Sequence, residues 1–186
     1  MYRGILTESI SYYITNNSNV FCTFLDASKA FYRVHYCKLF RLVLQRGLPA
    51  CIVRVLINLY VGHVIRVLLS SPFNAVNRVK QGGVLVSPVL FCIYIDGLLT
   101  KLSESGVGCY MGEDFLGALA YADNIVLIVP SPSAMRKLLA ICDGYASDYD
   151  IIFNADKSKS IVFVSTPNRH FLVKAMNSCF FILVVI

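Results

Sequence analysis

The segment SPVLFCIYIDGLLTKL, Ser87 to Leu102, constrains the fold more than any other. Ser87 can cap a helix and Pro88 suits the first helical position, where a missing N–H costs nothing. The helix so started is apolar almost all round, so it has to be buried among other elements. Around it lie β-rich runs: VFCTFL ending at Asp26, then VGCYM, LGALAY and IVLIV, and later DIIF and SIVFV. Val64 to Leu69 is a further strand candidate. Tyr36–Gln45 and Cys51–Tyr60 carry apolar residues at helical spacing, separated by the stop-and-restart signal Gly47-Leu48-Pro49. Ser131-Pro132 opens another capped helix, with Met135, Leu138, Leu139, Cys142 and Tyr145 as its inner stripe. Short strands mixed with helices that cover one face indicate an α+β fold.

At 186 residues the chain fits one domain. It is 56% hydrophobic and only 15% charged, which suits a core piece whose covering parts lie elsewhere. The net charge is +6, and between Ala27 and Ile95 stand nine Lys or Arg with no Asp or Glu. Such a block attracts polyanions, nucleic acids above all. The alternative is a set of solvated faces whose counter-charges come later, between Glu104 and Asp156. Seven scattered cysteines without CxxC spacing indicate buried free thiols in a reducing, intracellular setting, without distinguishing nucleus from cytoplasm. The N-terminal MYRGILTESISYYITNN has Glu8 inside any apolar core and is no signal peptide. The apolar tail FFILVVI falls well short of the ~20 residues that span a bilayer and reads as a strand, so no membrane association is expected.

Asp26 ends one strand and Asp123 stands in a hairpin turn. Two strands that deliver aspartates to one sheet edge can place both on a divalent cation, and two such ions make a clamp for in-line phosphoryl chemistry. Asp and Asn are also favoured turn residues, so spacing alone leaves a plain turn open.

From about Leu6 to Phe181 the chain resembles the reverse transcriptase of non-LTR (LINE-type) retrotransposons. Four motifs carry the resemblance, in the family's order: FLDASKAF, KQGGVLVSPVLFCIYIDGLL, LAYADN and FNADKSKS. It implies a ferredoxin-like polymerase palm, an antiparallel sheet with helices on one face, with partial fingers. It also implies RNA-directed DNA synthesis with Mg²⁺ or Mn²⁺, on an RNA template with a DNA primer and dNTP. Asp26 and Asp123 would be metal ligands, with Asn124 a weakened one, and Lys157 would sit near the triphosphate and protonate the leaving group. Phe31 would be the steric gate against a ribose 2′-hydroxyl, while Gln81 and Gly82 would lie along the template–nucleotide pair. Each also has a plain reading: Phe31 as core, Gln81-Gly82 as loop, Lys157 as part of a solvated turn.

Five departures accompany the resemblance. Asn124 replaces the second hairpin aspartate, and Tyr32 replaces an aspartate after Phe31. QGGVLVSP holds one residue more than the family's loop, while LLSSPFNAVNRVKQ is several residues short and carries Arg78 for a glycine. Residues 1–186 are expected to be one partial domain without most fingers strands, primer grip or thumb. Impaired catalysis is therefore expected, with two alternatives: a non-catalytic palm remnant that binds nucleic acid through its basic block, or an unstable translated remnant.

Overall fold

The structure, a computed structural model, describes residues 2–27, 33–61, 86–121, 123–165 and 182–184. Along the chain the elements are α1 (Tyr2–Thr15), β1 (Val20–Asp26), α2 (Tyr36–Gln45), α3 (Ala50–Val61), α4 (Val86–Ser103), β2 (Tyr110–Met111), β3 (Asp114–Phe115), β4 (Ala118–Tyr121), β5 (Asn124–Val129), α5 (Pro132–Tyr149), β6 (Lys159–Phe163) and β7 (Ile182–Val184). The expected strand at Val64–Leu69 and the Gln81-Gly82 loop lie outside the described residues.

Local signals account for most boundaries. Gly47, at φ +81°, takes the left-handed conformation that closes α2, and α3 restarts just after Pro49. Ser131 caps α5: its Oγ accepts the Ala134 N–H at 3.3 Å, and Pro132 fills the first helical position. Asp150, at φ +53°, ends that helix in the left-handed region. The turn at Asp150 also explains why DIIF is no strand. Only Phe153 bridges, to Ala27, before the chain turns again at 155–157. Helix α4 begins at Val86, one residue before the expected cap.

Five strands form one sheet in the order β4-β5-β1-β6-β7, and β2 pairs with β3 in a separate ribbon. β1 lies antiparallel between β5 and β6, β4 is antiparallel to β5, and β7 joins the edge parallel to β6. The path β1-α4-β4-β5-α5-β6, with spatial order β4-β5-β1-β6, is the split βαβ arrangement of ferredoxin-like folds. The apolar tail does supply a strand, β7.

Alternate side chains on a strand face opposite ways, so a strand apolar at every position needs cover on both sides. One face, with Phe21, Leu25, Ile125, Leu127 and Val129, packs against Leu39 and Phe40 of α2, Tyr94 and Leu98 of α4, and Leu138 and Tyr145 of α5. The other face, with Val20, Cys22, Val126 and Ile128, meets Leu6, Ile10, Tyr13 and Ile14 of α1 together with Cys109. Each fully buried large side chain contributes on the order of 2 kcal/mol. Helix α1 thus lies across the sheet from the others. The Tyr13 hydroxyl ties it to β2, donating to the Tyr110 carbonyl at 3.0 Å and accepting its N–H at 2.7 Å.

Two expectations need correction. Helix α4 buries Leu90, Phe91, Tyr94, Ile95, Leu98 and Leu102 but leaves Val89 and Cys92 exposed, so it is not covered all round. Of the cysteines, Cys22, Cys109 and Cys142 are buried, whereas Cys37, Cys51 and Cys92 lie on outer sides of helices and are exposed. All six are free thiols, and Cys179 lies outside the described residues. Among the described residues no helix is long and apolar enough to cross a membrane.

Candidate active site

β1 runs through the middle of the sheet and ends at Asp26, whose register partner on β5 is Asn124. Asp123 lies in the turn that precedes β5. The Ala27 N–H donates to the Asp123 carbonyl at 3.2 Å, so backbone pairing continues past the end of β1 and holds the turn beside Asp26. Asn124 Nδ2 donates to Asp123 Oδ1 at 3.4 Å. On the other side of β1, Lys157 Nζ stands 4.0 Å from Asp26 Oδ2. The Asp26 side chain is 25% exposed and the Lys157 side chain 69% exposed, so the edge is open to solvent.

The structure therefore gathers four of the sequence-derived residues, Asp26, Asp123, Asn124 and Lys157, at one edge of the sheet. Phe31, Gln81 and Gly82 lie outside the described residues. Two further residues of the FNADKSKS motif, to which the sequence assigned no role, belong to the same edge. Asn154 Oδ1 accepts the backbone N–H groups of Asp156, at 3.0 Å, and of Lys157, at 3.3 Å, and so shapes the turn that carries Lys157. Ser158 is 1% exposed and touches Asp26 through its hydroxyl. The signal for both was the polar cluster NADKS directly before a strand, an Asx-turn pattern.

The donor set suits a hard divalent cation. Asp26 and Asp123 supply carboxylates, Asn124 can add a neutral oxygen, and Mg²⁺ commonly takes only one or two protein carboxylates. Among the described residues no group of three His, Cys, Asp or Glu gathers to hold a metal. The set carries two negative charges against the positive charge of Lys157.

The basic block is partly neutralised from within. Arg33 pairs with Asp150 at 3.2 Å, and Arg46 pairs with Asp96. Lys38 donates to the Asp148 carbonyl and lies over the Tyr149 ring, 5.2 Å from its centroid. Arg41 and Arg54 remain exposed on α2 and α3.

A ferredoxin-like sheet with an aspartate at the end of its first strand and an Asp-Asn turn beside it is consistent with the palm of a reverse transcriptase. The chain matches the family described as reverse transcriptase (RNA-dependent DNA polymerase) over residues 3–178, and it belongs to that family. It is 30% identical over 149 residues to the Pol polyprotein of the type-2 retrotransposable element R2DM of Drosophila melanogaster, covering 78% of this chain and 14% of that protein. A Pol polyprotein of the type-1 retrotransposable element R2 of Popillia japonica is 28% identical over 150 residues, covering 78% of this chain and 25% of that one. The chain thus spans a quarter or less of the relatives' length. The non-LTR assignment made from the four motifs is borne out by these relatives. Among solved structures, apo telomerase from Candida tropicalis superposes with a TM-score of 0.65 at 16% identity, covering 87% of this chain and 34% of that one. Telomerase from Candida albicans, in complex with a fragment of telomeric RNA, gives 0.62 at 14% identity, covering 89% and 31%. These two establish the fold.

Proposed function

We propose that the chain is the catalytic palm of an RNA-directed DNA polymerase, adding deoxynucleotides from dNTP to a DNA primer on an RNA template, with activity reduced by Asn124. The observation that carries this reading is the convergence of Asp26, Asp123, Asn124 and Lys157 on one sheet edge. Asp26 and Asp123 are the anionic oxygens that would hold Mg²⁺ or Mn²⁺, and the Asn124 amide oxygen is a neutral supplement. Bound there, the metal would activate the primer 3′-hydroxyl and neutralise charge on the departing pyrophosphate.

The protein's own groups do the rest. The central strand and the hairpin hold the backbones that carry the two carboxylates, which would limit reorganisation when substrate arrives. Lys157 stands where its ammonium can meet a polyphosphate and pass a proton to the leaving oxygen. By resemblance, Phe31 excludes a ribose 2′-hydroxyl, and Gln81-Gly82 line the template–nucleotide pair, where the missing side chain of glycine permits close backbone approach.

The test has two parts. Mn²⁺ titration followed by electron paramagnetic resonance should show binding that Asp26→Asn abolishes. RNA-templated primer extension in Mn²⁺ should then show incorporation with the same dependence. Incorporation indifferent to Asp26→Asn would sink the reading. A second reading, a non-catalytic palm that binds nucleic acid, draws support from the exposed Arg41 and Arg54. It predicts salt-sensitive RNA binding that Asp26→Asn leaves intact and Arg41→Ala with Arg54→Ala weakens.

A further inference from the structure

The pairing between β1 and β6 breaks off just before the site. The regular ladder ends at Phe24↔Lys159, and the next bridge is Ala27↔Phe153. That is three steps along β1 against six on the other side, so residues 154–158 bulge out as a turn. A bulge here removes the ladder partners that Asp26 would have had, and a buried backbone group without a partner is costly. Ser158 and Asn154 replace them. The Asp26 N–H donates to Ser158 Oγ at 3.3 Å, and the Asn154 N–H donates to the Asp26 carbonyl at 2.7 Å. The turn is closed on itself, because the Ser158 hydroxyl donates to the Asn154 carbonyl at 2.6 Å and the Ser158 N–H donates to the same oxygen at 2.9 Å.

We propose that Ser158 is a positioning residue: with Asn154 it clasps both backbone groups of Asp26, aiming its carboxylate at the metal-binding edge and locking Lys157 beside it. The inference rests on the metal-centred reading above. Its physical content is that one buried hydroxyl does two things at once. It accepts the Asp26 N–H, and by donating to Asn154 it keeps that residue's amide edge turned to Asp156 and Lys157. The carboxylate and the ammonium of the site are therefore set by one turn and move together if it opens. Without the hydroxyl the Asp26 N–H loses its partner, and on the β6 side only the Asn154 N–H still holds the last residue of β1.

The test compares Ser158→Ala with Thr23→Val in the full chain. Thr23 Oγ1 and Ser160 Oγ share a buried hydrogen bond of 2.8 Å on the same strand pair, so Thr23→Val weakens β1–β6 pairing without touching the turn. Both variants should melt earlier than the parent. Only Ser158→Ala should weaken Mn²⁺ binding, by roughly tenfold, the usual scale for losing a group that orients a metal ligand. Ser158→Thr, which keeps the hydroxyl, should recover most of it. Equal Mn²⁺ affinity in Ser158→Ala and Thr23→Val overturns the proposal. If the parent binds no Mn²⁺, or binds it without Asp26, the metal-centred reading has failed, and amide hydrogen exchange then judges the clasp. Exchange at Asp26 should accelerate in Ser158→Ala and not in Thr23→Val; unchanged exchange overturns the clasp as well.

Discussion

Asp26 and Asn124 face each other as the last register pair between β1 and β5, so a carboxylate at position 124 would stand directly across from that of Asp26. Restoring charge at that position requires no change of backbone, since Asp and Asn have the same shape. Asn124→Asp should therefore tighten Mn²⁺ binding by roughly tenfold, the scale of one added charge a few ångströms from a cation at a partly solvated edge. Electron paramagnetic resonance titration measures it directly. Unchanged affinity would mean that position 124 does not face the ion.

Lys157 and Asp26 form an ion pair of 4.0 Å between a mostly exposed ammonium and a carboxylate that keeps a quarter of its exposure. Pairs of this kind contribute about 1 kcal/mol or less. Lys157→Ala should leave the melting temperature nearly unchanged. Mn²⁺ binding to the metal-free protein should tighten, by no more than about fivefold, because a cation that competes for Asp26 has gone. On the proposed role of Lys157 beside the triphosphate, a polymerase assay should show the opposite sign, a lower rate. A large stability loss in Lys157→Ala would show that the ammonium is structural.

The legible parts of this fold were those whose signals are local. VFCTFL running into Asp26, the turn at Asp123 and the Ser131-Pro132 cap all stand in the structure as strand end, hairpin and helix start. What escaped depends on contacts between segments distant in sequence. Helix α1 has no strong apolar stripe of its own and is defined by Val20, Cys22, Val126 and Ile128, the second apolar face that it covers. The exposure of Cys37, Cys51 and Cys92 was equally unreadable, because an apolar neighbourhood in sequence does not say which side of a helix packs. Of the candidate site, motif order singled out Asp26, Asp123, Asn124 and Lys157, which the structure gathers at one edge. The role of Ser158 needed the third dimension, since only the broken β1–β6 register brings its hydroxyl to the Asp26 N–H.

Gly117 marks a place where two backbones cross. A Cβ there would lie 2.5 Å from the Phe115 ring and 2.9 Å from the Gly108 Cα, while the Gly117 carbonyl accepts the Ile128 N–H at 2.9 Å. Neither neighbour can retreat without breaking the attachment of the β2–β3 ribbon to the sheet. Gly117→Ala should cost about 2 kcal/mol or more in urea unfolding. Gly144, inside α5 with open space around it, is the contrasting case: Gly144→Ala should stabilise by about 0.5–1 kcal/mol. Equal effects at the two positions would show that the crossing is not tight.

Burial pushes the thiols of Cys22, Cys109 and Cys142 up to about 12 from an ordinary value of 9.0, with the neighbouring Cys109 adding to the effect at Cys22 and Asp143 at Cys142. The unfolded chain then releases these protons near pH 9 while the folded chain holds them. Above that pH the folded state binds more protons than the unfolded one, so stability must fall as pH rises. The loss is about 1.4 kcal/mol per thiol for each pH unit, and it ends only as the pH passes the folded values. Tyr94, raised by burial to about 12 from 10.0, adds to the fall from near pH 10 upward. Urea unfolding under reducing conditions should therefore give a markedly lower stability at about pH 10 than at about pH 8. Cys142→Ala should shrink the difference by about one thiol's share, whatever it costs in packing. Stability that is flat across this range would mean that the three thiols are solvated, and that the two faces of the sheet are less tightly covered than the packing of α1 and α5 indicates.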